Sequence, residues 1–402
     1  MSVTDWDVYN KNKKYGMKYI LVIDHIATGG AERILLDYYQ HLVEKDYVVK
    51  IFCITGYEGQ SQWTQGIDVV YGSSEDQNNL LKKTLQQRNV QQKLQQLVNK
   101  IKPDVVFSFL EKSNLLVGKL HTSATKIMTV HNVLSIQYTK VENPLVRYFV
   151  YRMIRKCYNH CPKVVAVSEQ VRQDLISSFG VKAENITVIN NYVNRKDIAT
   201  KAKETIDNYS FELDKKYILN IGRFSDQKAQ WKLLKAYSLI AKEHADSRLV
   251  LIGAGDNLEE LKNLSHNLSL DEQVTFLPFS LNPYKYMAKA DLFVLSSIFE
   301  GFPIVLAEVS SLRIPFVGSR KAVPEEMFAD KTEWEHYIFN SSNCRDIDTD
   351  IHEDERALAL LIERGLYDEA YRKTLLQQTE GWECHNDKIC QFEQYDAIAT
   401  SK

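Results

Sequence analysis

The segment Phe299-Glu-Gly-Phe-Pro-Ile-Val-Leu-Ala-Glu308 contains the residues best suited to chemistry. Pro303 is favoured in the first turn of a helix, where its missing N–H leaves no bond unmade, so a helix from Pro303 to Leu312 is predicted. Glu300 then lies in the loop before this helix, and Glu308 lies inside it. Free N–H groups in a first helical turn bind anions. Two carboxylates beside such an anion site suit a ligand that carries both hydroxyls and phosphates.

The elements that must position these residues alternate between strand and helix. Short, continuously apolar runs between helical patterns are typical of parallel strands buried on both faces. The predicted strands of the first half are Tyr19–Ile23, Val48–Ile54, Val69–Tyr71, Val105–Phe109, Lys126–Val130 and Lys163–Val167. Those of the second half are Tyr217–Ile221, Arg248–Ile252, Val274–Leu277, Leu292–Ser296 and Pro315–Gly318. The pattern predicts two doubly wound, Rossmann-like α/β domains facing across a cleft, with ligand sites at the carboxyl ends of the strands.

Length and composition exclude several classes of protein. The 402 residues suffice for two or three domains. With 44% apolar and 25% charged residues, the chain is neither disordered nor fibrous. It also lacks the run of about 18 apolar residues that a membrane-spanning helix needs. The polar start, Met1–Lys14, does not resemble a signal peptide, and six scattered cysteines favour a reducing, cytoplasmic location.

The net charge of -2 conceals two halves of opposite sign. Residues 1–200 carry 26 Lys and Arg against 18 Asp and Glu, whereas residues 201–402 carry 24 against 34. The basic half either meets an anionic partner or has only an unevenly charged, solvated surface.

Two short motifs raise the question of a metal. Cys157 and Cys161, with His160 between them, form a Cys-x3-Cys pair that could supply half of a zinc site, but no second knuckle lies nearby, so buried thiols on a helix are favoured. Asp346-Ile-Asp348 lies in a polar loop and is interpreted as surface. No metal and no cofactor are predicted.

The Glu300-x7-Glu308 pattern resembles the signature of the family 4 glycosyltransferases, which have the two-domain GT-B architecture. The resemblance extends over nearly the whole chain from Met17. Five further elements follow the family's order, namely Gly29-Gly-Ala-Glu32, Ala166-Val-Ser-Glu169, Gly222-Arg-x4-Lys228, Ile252-Gly-Ala-Gly-Asp256 and Ala290-Asp-Leu-Phe-Val294. The resemblance implies a nucleotide-sugar donor as substrate.

Domain boundaries follow from the patterning and the resemblance together. A polar extension, 1–16, precedes an acceptor-binding domain at 17–195, and the nucleotide-sugar-binding domain covers 217–375. The polar, poorly patterned stretch after Asn194 predicts a linker over 196–216. The resemblance implies that 376–402 packs back on the N-terminal domain, with Trp382–Ala399 as the closing segment.

Four residues receive catalytic roles from the resemblance. Arg223 and Lys228 would bind the pyrophosphate and stabilise the leaving nucleoside diphosphate, unless they form only an exposed pair at a helix cap. Glu300 would bind the transferred sugar. His131, which directly follows a predicted strand, would bind the donor sugar or an acceptor hydroxyl, unless it is structural.

The remaining donor contacts are also implied by the resemblance. Glu308 would hold the ribose hydroxyls, and the backbone around Leu277 and Phe279 would read the base. Backbone N–H groups in the first glycine turn would approach from the other domain. The predicted donor-binding residues are Gly29, Gly30, Ala31, Gly253, Leu277, Phe279, Gly301, Phe302, Pro303, Ile304 and Glu308.

The chain departs from the family pattern at two places. Ala229 follows Lys228 where relatives usually have glycine, and a mild effect is predicted. In the second place, Arg320-Lys321-Ala322 stands where relatives have a glycine pair, which removes backbone flexibility near the donor. Arg320 and Lys321 are expected to add phosphate contacts, so the identity of the donor stays open.

The favoured hypothesis is a retaining hexosyl- or N-acetylhexosaminyltransferase. It would use a nucleotide sugar, with UDP favoured, and a glycan or lipid-linked acceptor of a bacterial surface polysaccharide or glycolipid. Front-side attack without a covalent nucleophile is expected. The alternatives are a sugar-phosphate epimerase or phosphorylase of the same fold, and a non-catalytic subunit that binds a sugar nucleotide or a membrane. Nucleic acid is not an expected partner, because no binding motif accompanies the charge.

The predicted helix Pro144–His160 combines arginines with aromatic residues. Such a helix suits an anionic membrane surface, which would make the cytoplasmic protein peripheral on the inner face of the membrane. The alternative is that Tyr148, Phe149 and Tyr151 pack on the sheet.

Overall fold

The computed structural model describes residues 16–26, 29–56, 64–74, 80–343, 345–380 and 387–401. The chain divides into two compact units, one of residues 1–189 with 392–402 and the other of residues 190–391. Each unit contains one parallel sheet, with helices between its strands. The predicted fold class, two α/β domains each built on a parallel sheet, is therefore confirmed.

The first unit is built on seven parallel strands in the order β3-β2-β1-β4-β5-β6-β7. These are β1 (Lys18–Ile23), β2 (Val48–Thr55), β3 (Val69–Ser73), β4 (Val105–Phe109), β5 (Thr125–Val130), β6 (Val164–Ala166) and β7 (Ile186–Val188). The described helices are α1 (Gly30–Glu44), α2 (Leu80–Ile101), α3 (Glu111–Gly118), α4 (Leu134–Gln137), α5 (Pro144–Asn159) and α6 (Glu169–Phe179).

The second unit has six parallel strands in the order β10-β9-β8-β11-β12-β13. These are β8 (Lys216–Ile221), β9 (Ser247–Ile252), β10 (Val274–Leu277), β11 (Leu292–Leu295), β12 (Phe316–Ser319) and β13 (Ile338–Phe339). Its helices within the described residues are α7 (Arg195–Lys201), α8 (Gln230–Ile240), α9 (Leu258–Asn267), α10 (Tyr284–Met287), α11 (Ile304–Ser311), α12 (Glu353–Tyr367) and α13 (Glu369–Thr379). A last helix, α14 (Lys388–Thr400), starts in the second unit and ends in the first.

Both sheets reverse their strand order once, which fixes where ligands are expected. The reversal lies between β1 and β4 in the first unit and between β8 and β11 in the second. Open α/β sheets bind ligands in the crevice beyond the carboxyl ends of the strands at such a switch point. The loops after β1, β4, β8 and β11 are therefore the positions to examine for a site.

Two strands were not predicted from the sequence. β7 has three residues and β13 has two, and each pairs in parallel with the edge of its sheet through Ala166 and Ser319 respectively. Segments this short contain too few apolar residues to show a pattern of their own. Their pairing depends on the neighbouring strand that the fold supplies.

The boundary region differs from the predicted linker over 196–216. The second unit begins at Asn190, and helix α7 occupies the start of the predicted linker. The Asn194 side chain caps α7 by accepting a hydrogen bond from the Asp197 N–H at 3.1 Å. Ile198 is the buried residue of this helix. A single buried apolar side chain is too weak a pattern to predict a helix from the sequence.

The carboxyl-terminal part of α14 belongs to the first unit. Phe392 and Tyr395 are fully buried there against Tyr38. Asp396 accepts a hydrogen bond from the Tyr38 hydroxyl at 2.9 Å and lies 2.9 Å from His41 Nε2. Only residues from Phe392 onward join this unit, whereas the prediction began at residue 376, and Trp382 of the proposed closing segment lies outside the described residues.

Within the described part of the chain, no helix has both the length and the apolar character that crossing a bilayer requires.

Candidate functional site

The loop after β8 contributes residues to the candidate site in the second unit. The Gly222 N–H donates to Ile252 O and the Phe224 N–H to Ala254 O, both at 3.0 Å, so this loop lies directly on the loop after β9. A Cβ on Gly253 would stand 2.0 Å from Gly222 O. The predicted donor residue Gly253 must therefore be glycine, because its backbone packs against that of Gly222.

Lys228 and Glu300 meet at the switch point between β8 and β11. Lys228 Nζ lies 2.7 Å from Glu300 Oε1. The backbone holds both partners, since the Glu300 N–H donates to Lys321 O at 3.1 Å and the Ser296 hydroxyl donates to Lys228 O at 2.8 Å. The structure thus brings two of the four predicted catalytic residues together, with the Glu300 side chain nearly buried.

Arg223 is exposed at the start of the same loop. No carboxylate of the described residues lies within 4.0 Å of its guanidinium, while its carbonyl oxygen accepts a hydrogen bond from Gln230 Nε2 at 3.2 Å. The loop therefore offers one cation already paired with a carboxylate and one that can accept an anion from solution.

Ala229 has a left-handed backbone with φ 46° and ψ 44°, and it is fully buried at the start of α8. An L-residue in this conformation costs roughly 1–2 kcal/mol, because its Cβ crowds the following carbonyl. The replacement of glycine at this position, predicted to be mild, therefore strains the backbone next to Lys228.

Helix α11 begins one residue later than predicted. Pro303 is the N-cap residue in an extended conformation, and Ile304 is the first helical residue. Because a helix leaves its first N–H groups without partners inside the helix, the anion site predicted near Gly301 remains compatible with this start. Gly301, Phe302 and Pro303 are buried.

Glu308 lies within α11 and is nearly buried. Its Oε1 accepts a hydrogen bond from the buried Tyr284 hydroxyl at 2.8 Å. The carboxylate is thereby oriented by a residue that the sequence patterns did not single out.

The predicted base-binding segment follows β10. Leu277 is buried, and its carbonyl oxygen accepts the Gly253 N–H at 3.1 Å. The Phe279 side chain is 46% exposed. An exposed aromatic ring at the carboxyl end of a strand provides a surface on which a flat base can stack.

The Arg320 guanidinium, expected to add a phosphate contact, is engaged by other side chains. Its guanidinium forms two hydrogen bonds with the Glu335 carboxylate, donates through Nε to Asn340 Oδ1 at 2.7 Å and stacks on Trp334. A phosphate would have to compete with these groups for the guanidinium, and the phosphate contact of Arg320 stays a prediction. Lys321 Nζ lies 3.3 Å from Asn343 Oδ1.

Asp346 and Asp348 both contact Lys235, a residue that the sequence patterns did not single out. Lys235 is completely buried in α8, and its Nζ lies 3.0 Å from Asp346 and 3.3 Å from Asp348. The acidic loop thus has a structural partner inside the second unit. One turn earlier, Lys232 bonds Asp354 and the Ser342 hydroxyl.

The cysteine cluster is also engaged locally. Cys157 Sγ contacts Asn114 O, and Cys161 Sγ contacts Lys126 O at 3.4 Å. Burial raises the pKa of the two thiols to about 12 and 11, respectively. Cys161 is buried and Cys157 half-buried, which agrees with the favoured interpretation of buried thiols, although Cys161 lies just after α5 and not on it.

In the first unit, the glycine turn leads into α1. Gly29 is its N-cap in an extended conformation, and the helix starts at Gly30. A Cβ on Gly29 would stand 2.3 Å from the nearly buried Glu32 carboxylate. The N–H groups of Gly30 and Ala31 lie in the first turn, where a helix leaves them without intrahelical partners.

His131 lies at the end of β5 and stacks on Phe109. Burial lowers its pKa to about 4, so the ring is neutral at pH 7. The Thr129 hydroxyl donates to Ser108 O at 2.9 Å, and it must therefore accept the hydrogen bond from His131 Nε2, also at 2.9 Å. This leaves Nδ1 as an acceptor suited to a hydroxyl group.

Two acidic residues at the switch point of the first unit were missed. Asp24 directly follows β1, and Glu111 begins α3 after β4. Each lies just beyond the carboxyl end of a predicted strand, which is the signal that would have identified them.

Comparisons with known proteins add independent findings. The family model described as "Glycosyltransferase Family 4" matches residues 28–197, and "Glycosyl transferases group 1" matches residues 201–353. The chain is 31% identical over 243 residues to a Campylobacter jejuni N-acetylgalactosamine-N,N'-diacetylbacillosaminyl-diphospho-undecaprenol 4-alpha-N-acetylgalactosaminyltransferase, which covers 59% of this chain and 64% of that relative. It is 26% identical over 231 residues to an O-antigen chain mannosyltransferase of Salmonella typhimurium, covering 54% and 61%.

A solved structure shares the fold across nearly the full chain. The Anabaena HepE protein, crystallised with UDP and glucose, has a TM-score of 0.72 at 17% identity, and the superposition covers 96% of this chain and 100% of that one. The match to the two curated relatives is shorter, since it spans less than two thirds of either relative's length.

Proposed function

Because the chain belongs to family 4 of the glycosyltransferases and has the GT-B fold, we propose that it transfers a hexosyl or N-acetylhexosaminyl group from a UDP-sugar, with retention of configuration. The acceptor is a glycan or lipid-linked glycan of a bacterial surface polysaccharide or glycolipid. The relatives' names support this class of acceptor, since one acts on a diphospho-undecaprenol-linked sugar and another on an O-antigen chain.

The observation that carries the proposal is the Lys228–Glu300 pair beside the exposed Arg223. Arg223 and Lys228 are cations at the carboxyl end of β8, where a diphosphate can bind. In the transition state they stabilise the negative charge that grows on the leaving nucleoside diphosphate. Glu300 accepts a hydrogen bond from a hydroxyl of the transferred sugar. It also holds Lys228 in place before the donor binds.

The other predicted donor residues receive roles compatible with their surroundings. Glu308, oriented by Tyr284, accepts hydrogen bonds from the ribose hydroxyls. The backbone beside Leu277 and the exposed ring of Phe279 bind the base. His131 accepts a hydrogen bond from a sugar hydroxyl through Nδ1.

In the proposed reaction Arg223 and Lys228 take the place of a metal ion. A divalent ion in other transferases neutralises the diphosphate, and here Arg223 and Lys228 have that role. Turnover is therefore expected to persist in EDTA.

Calorimetry with UDP, GDP and NAD tests the donor class. We expect UDP to bind and NAD not to bind, and the absence of binding by any nucleoside diphosphate would refute a nucleotide-sugar transferase.

NMR of the product made from a UDP-sugar with α configuration would show an α linkage if configuration is retained. A β linkage would contradict retention.

A peripheral attachment to anionic membrane completes the proposal. Tyr148 and Phe149 are 59% and 65% exposed on α5, and Leu145, Val146 and Met153 are also exposed. The alternative that Tyr148 and Phe149 pack on the sheet is therefore wrong, although Tyr151 stacks on Phe179. Exposed aromatic residues next to Arg152 and Lys156 suit the headgroup layer of an anionic membrane.

A further inference from the structure

The loop before α8 carries a carboxylate between the two cations of the candidate site. Across residues 222–229, which connect β8 to α8, Asp226 is the one acidic residue, and it stands between Arg223 and Lys228. A carboxylate repels a phosphate and attracts a cation. Asp226 therefore opposes the role proposed for the two cations unless its charge is directed elsewhere.

Arg223 is the cation that Asp226 would affect most. Lys228 is already paired with Glu300 at 2.7 Å, whereas the exposed Arg223 guanidinium has no carboxylate of the described residues within 4.0 Å. Asp226 is three positions from Arg223 and is the acidic residue nearest to it in the sequence. An Asp226 side chain released from its present partners would therefore compete with a diphosphate for Arg223.

Two side chains hold the Asp226 carboxylate. Its Oδ1 accepts a hydrogen bond from Asn257 Nδ2 at 3.0 Å and lies 2.9 Å from Arg345 Nε. Asn257 is nearly buried, and its backbone N–H donates to Phe224 O at 3.3 Å, so it is fixed to the same loop. Arg345 also pairs with Glu260 on α9. Of these partners of Asp226, Arg345 is the one that supplies a positive charge.

The segment that carries Arg345 is anchored on α8, the helix into which the Asp226 loop leads. Arg345 lies between β13 and α12. On one side of it, the buried Lys232 donates to the Ser342 hydroxyl at 2.9 Å. On the other side, the buried Lys235 lies 3.0 Å from Asp346. Because two lysines of one helix hold the segment on both sides of Arg345, the guanidinium approaches the loop before that helix from a fixed backbone.

We propose that Arg345 is a positioning residue of the donor site, which binds Asp226 and thereby leaves Arg223 available to the diphosphate of the nucleotide sugar. Arg345 acts through Asp226 and not on the substrate. This inference rests on the proposed function, because it assumes that Arg223 binds a diphosphate.

The test compares a ligand that has the diphosphate with one that lacks it. UDP binding is measured by calorimetry, and uridine binding by saturation-transfer NMR on the same preparations of the full-length protein. A residue that acts only on the diphosphate contact should affect UDP and not uridine. A residue that maintains the fold of the whole unit should affect both ligands.

The variants are Arg345→Met, Asp226→Asn and the double variant Arg345→Met/Asp226→Asn. Methionine keeps an unbranched side chain without its charge. Asparagine keeps an oxygen that can accept the hydrogen bond from Asn257 but does not attract Arg223 as a carboxylate does. Arg345 and Asp226 are 44% and 40% exposed, so these substitutions leave no buried charge unpaired.

We expect Arg345→Met to weaken UDP binding by about tenfold, the effect of losing a hydrogen bond between charged groups, with uridine binding unchanged. Asp226→Asn should bind UDP at least as tightly as the wild type, because the competing charge is gone. The double variant should bind UDP as Asp226→Asn does. Removing Asp226 thus rescues the loss of Arg345, which a merely structural role for Arg345 would not predict.

Arg356 provides the matched control. It is an exposed arginine on α12 of the same unit, and no carboxylate of the described residues lies within 4.0 Å of its guanidinium. Arg356→Met removes one positive charge from the unit, as Arg345→Met does. Its affinity for UDP and for uridine should remain that of the wild type.

The contrary results are distinct from failure of the proposed function. If Arg345→Met binds UDP as the wild type does, or if the double variant binds UDP as weakly as Arg345→Met, the positioning role is refuted. Equal losses of UDP and uridine binding in Arg345→Met would refute it as well, since the effect would not be confined to the diphosphate. A wild type that binds no nucleoside diphosphate would instead refute the transferase proposal itself.

Discussion

Lys228 and Glu300 lie 72 positions apart in the chain, yet their side chains form a 2.7 Å ion pair. The pairing could be expected only through resemblance, because neither residue type nor spacing shows which side chains meet at the end of a sheet. Asp24 and Glu111 carried no motif at all. Only the structure shows that Asp24 accepts two hydrogen bonds from Ser113 and that a buried oxygen of Glu111 has no hydrogen-bond partner among the described residues.

Glu111 gives a pH-dependent prediction at this scale. Burial and the charge of Asp24 raise its pKa to about 7 in the folded protein, above the ordinary value of 4.5. Between these values the folded state binds more protons than the unfolded state, so the stability that Glu111 contributes falls as pH rises. Glu111→Gln, which cannot ionise, should therefore gain on the order of 2–3 kcal/mol relative to the wild type between pH 5 and pH 8.

Urea unfolding of both proteins at the two pH values measures this difference. Asp104→Asn is not a suitable control, because Asp104 bonds the Lys18 N–H at 2.8 Å. Glu184→Gln is suitable, because Glu184 is exposed just before β7 and its ion pair with Lys182, at 3.9 Å, is exposed as well, so its stability should follow that of the wild type at both pH values. If the difference between Glu111→Gln and the wild type stays constant with pH, Glu111 does not titrate as described.

At the scale of elements, α8 departs furthest from the sequence expectation. This helix contains two buried lysines, Lys232 and Lys235, whose carboxylate partners lie more than 100 positions away, Asp354 in the first turn of α12 and Asp346 in the acidic loop before it. Lysines normally indicate an exposed face. Only the tertiary fold shows that the acidic loop at Asp346 and Asp348 closes over this helix.

The left-handed Ala229 yields a matched pair of substitutions in α8. Ala229→Gly should relieve the strain, whereas Ala236→Gly removes an equally buried methyl from the regular helix. Both lose the same side chain, so the difference isolates the backbone. We expect Ala229→Gly to be more stable than Ala236→Gly by roughly 1–2 kcal/mol in urea unfolding. Equal stabilities would show that Ala229 is not strained.

The Lys235 cluster supplies a second prediction for α8. Lys235→Met keeps the buried volume and removes the buried charge, while Asp346 and Asp348 can still be hydrated at the surface. Its stability should remain within about 1 kcal/mol of the wild type or increase.

The double variant Asp346→Asn/Asp348→Asn is the counterpart. It leaves a buried ammonium without its carboxylates and should lose about 3 kcal/mol in urea unfolding. A large loss in Lys235→Met with a small loss in the double variant would reverse this order and contradict the interpretation.

At the scale of the whole molecule, the two parallel α/β sheets and most of their strands followed from alternating apolar runs and helical patterns, whereas the order of the strands within each sheet comes from the structure. The edge strands β7 and β13 and the short helix α7 did not, since their pairing and burial depend on neighbours supplied by the fold. For the aromatic residues of α5 the pattern left open whether they meet a membrane surface or pack on the sheet, and the structure shows Tyr148 and Phe149 exposed. A hydrophobic pattern identifies an amphipathic helix but not which medium faces its apolar side.

Attachment to membrane is tested by flotation with vesicles of phosphatidylglycerol and phosphatidylcholine. Binding should be stronger than to phosphatidylcholine alone and should weaken at high salt, because the basic residues of α5 meet anionic headgroups. The double variant Tyr148→Ser/Phe149→Ser should float less than the wild type.

Leu360→Ser is the matched control, since Leu360 is 62% exposed on the second unit. This control should float as the wild type does. Flotation that is indifferent to lipid charge, to salt and to the Tyr148/Phe149 substitutions would refute the attachment.

In the proposed reaction Arg223 and Lys228 stabilise the departing nucleoside diphosphate, and kcat/KM for the UDP-sugar in Arg223→Ala and Lys228→Ala measures this claim. Each should lower kcat/KM by about 10²–10³-fold, mainly through kcat. The control Arg248→Ala, at the amino end of β9 in the same unit, should remain near the wild-type value. Unchanged turnover in Arg223→Ala and Lys228→Ala would contradict the claim.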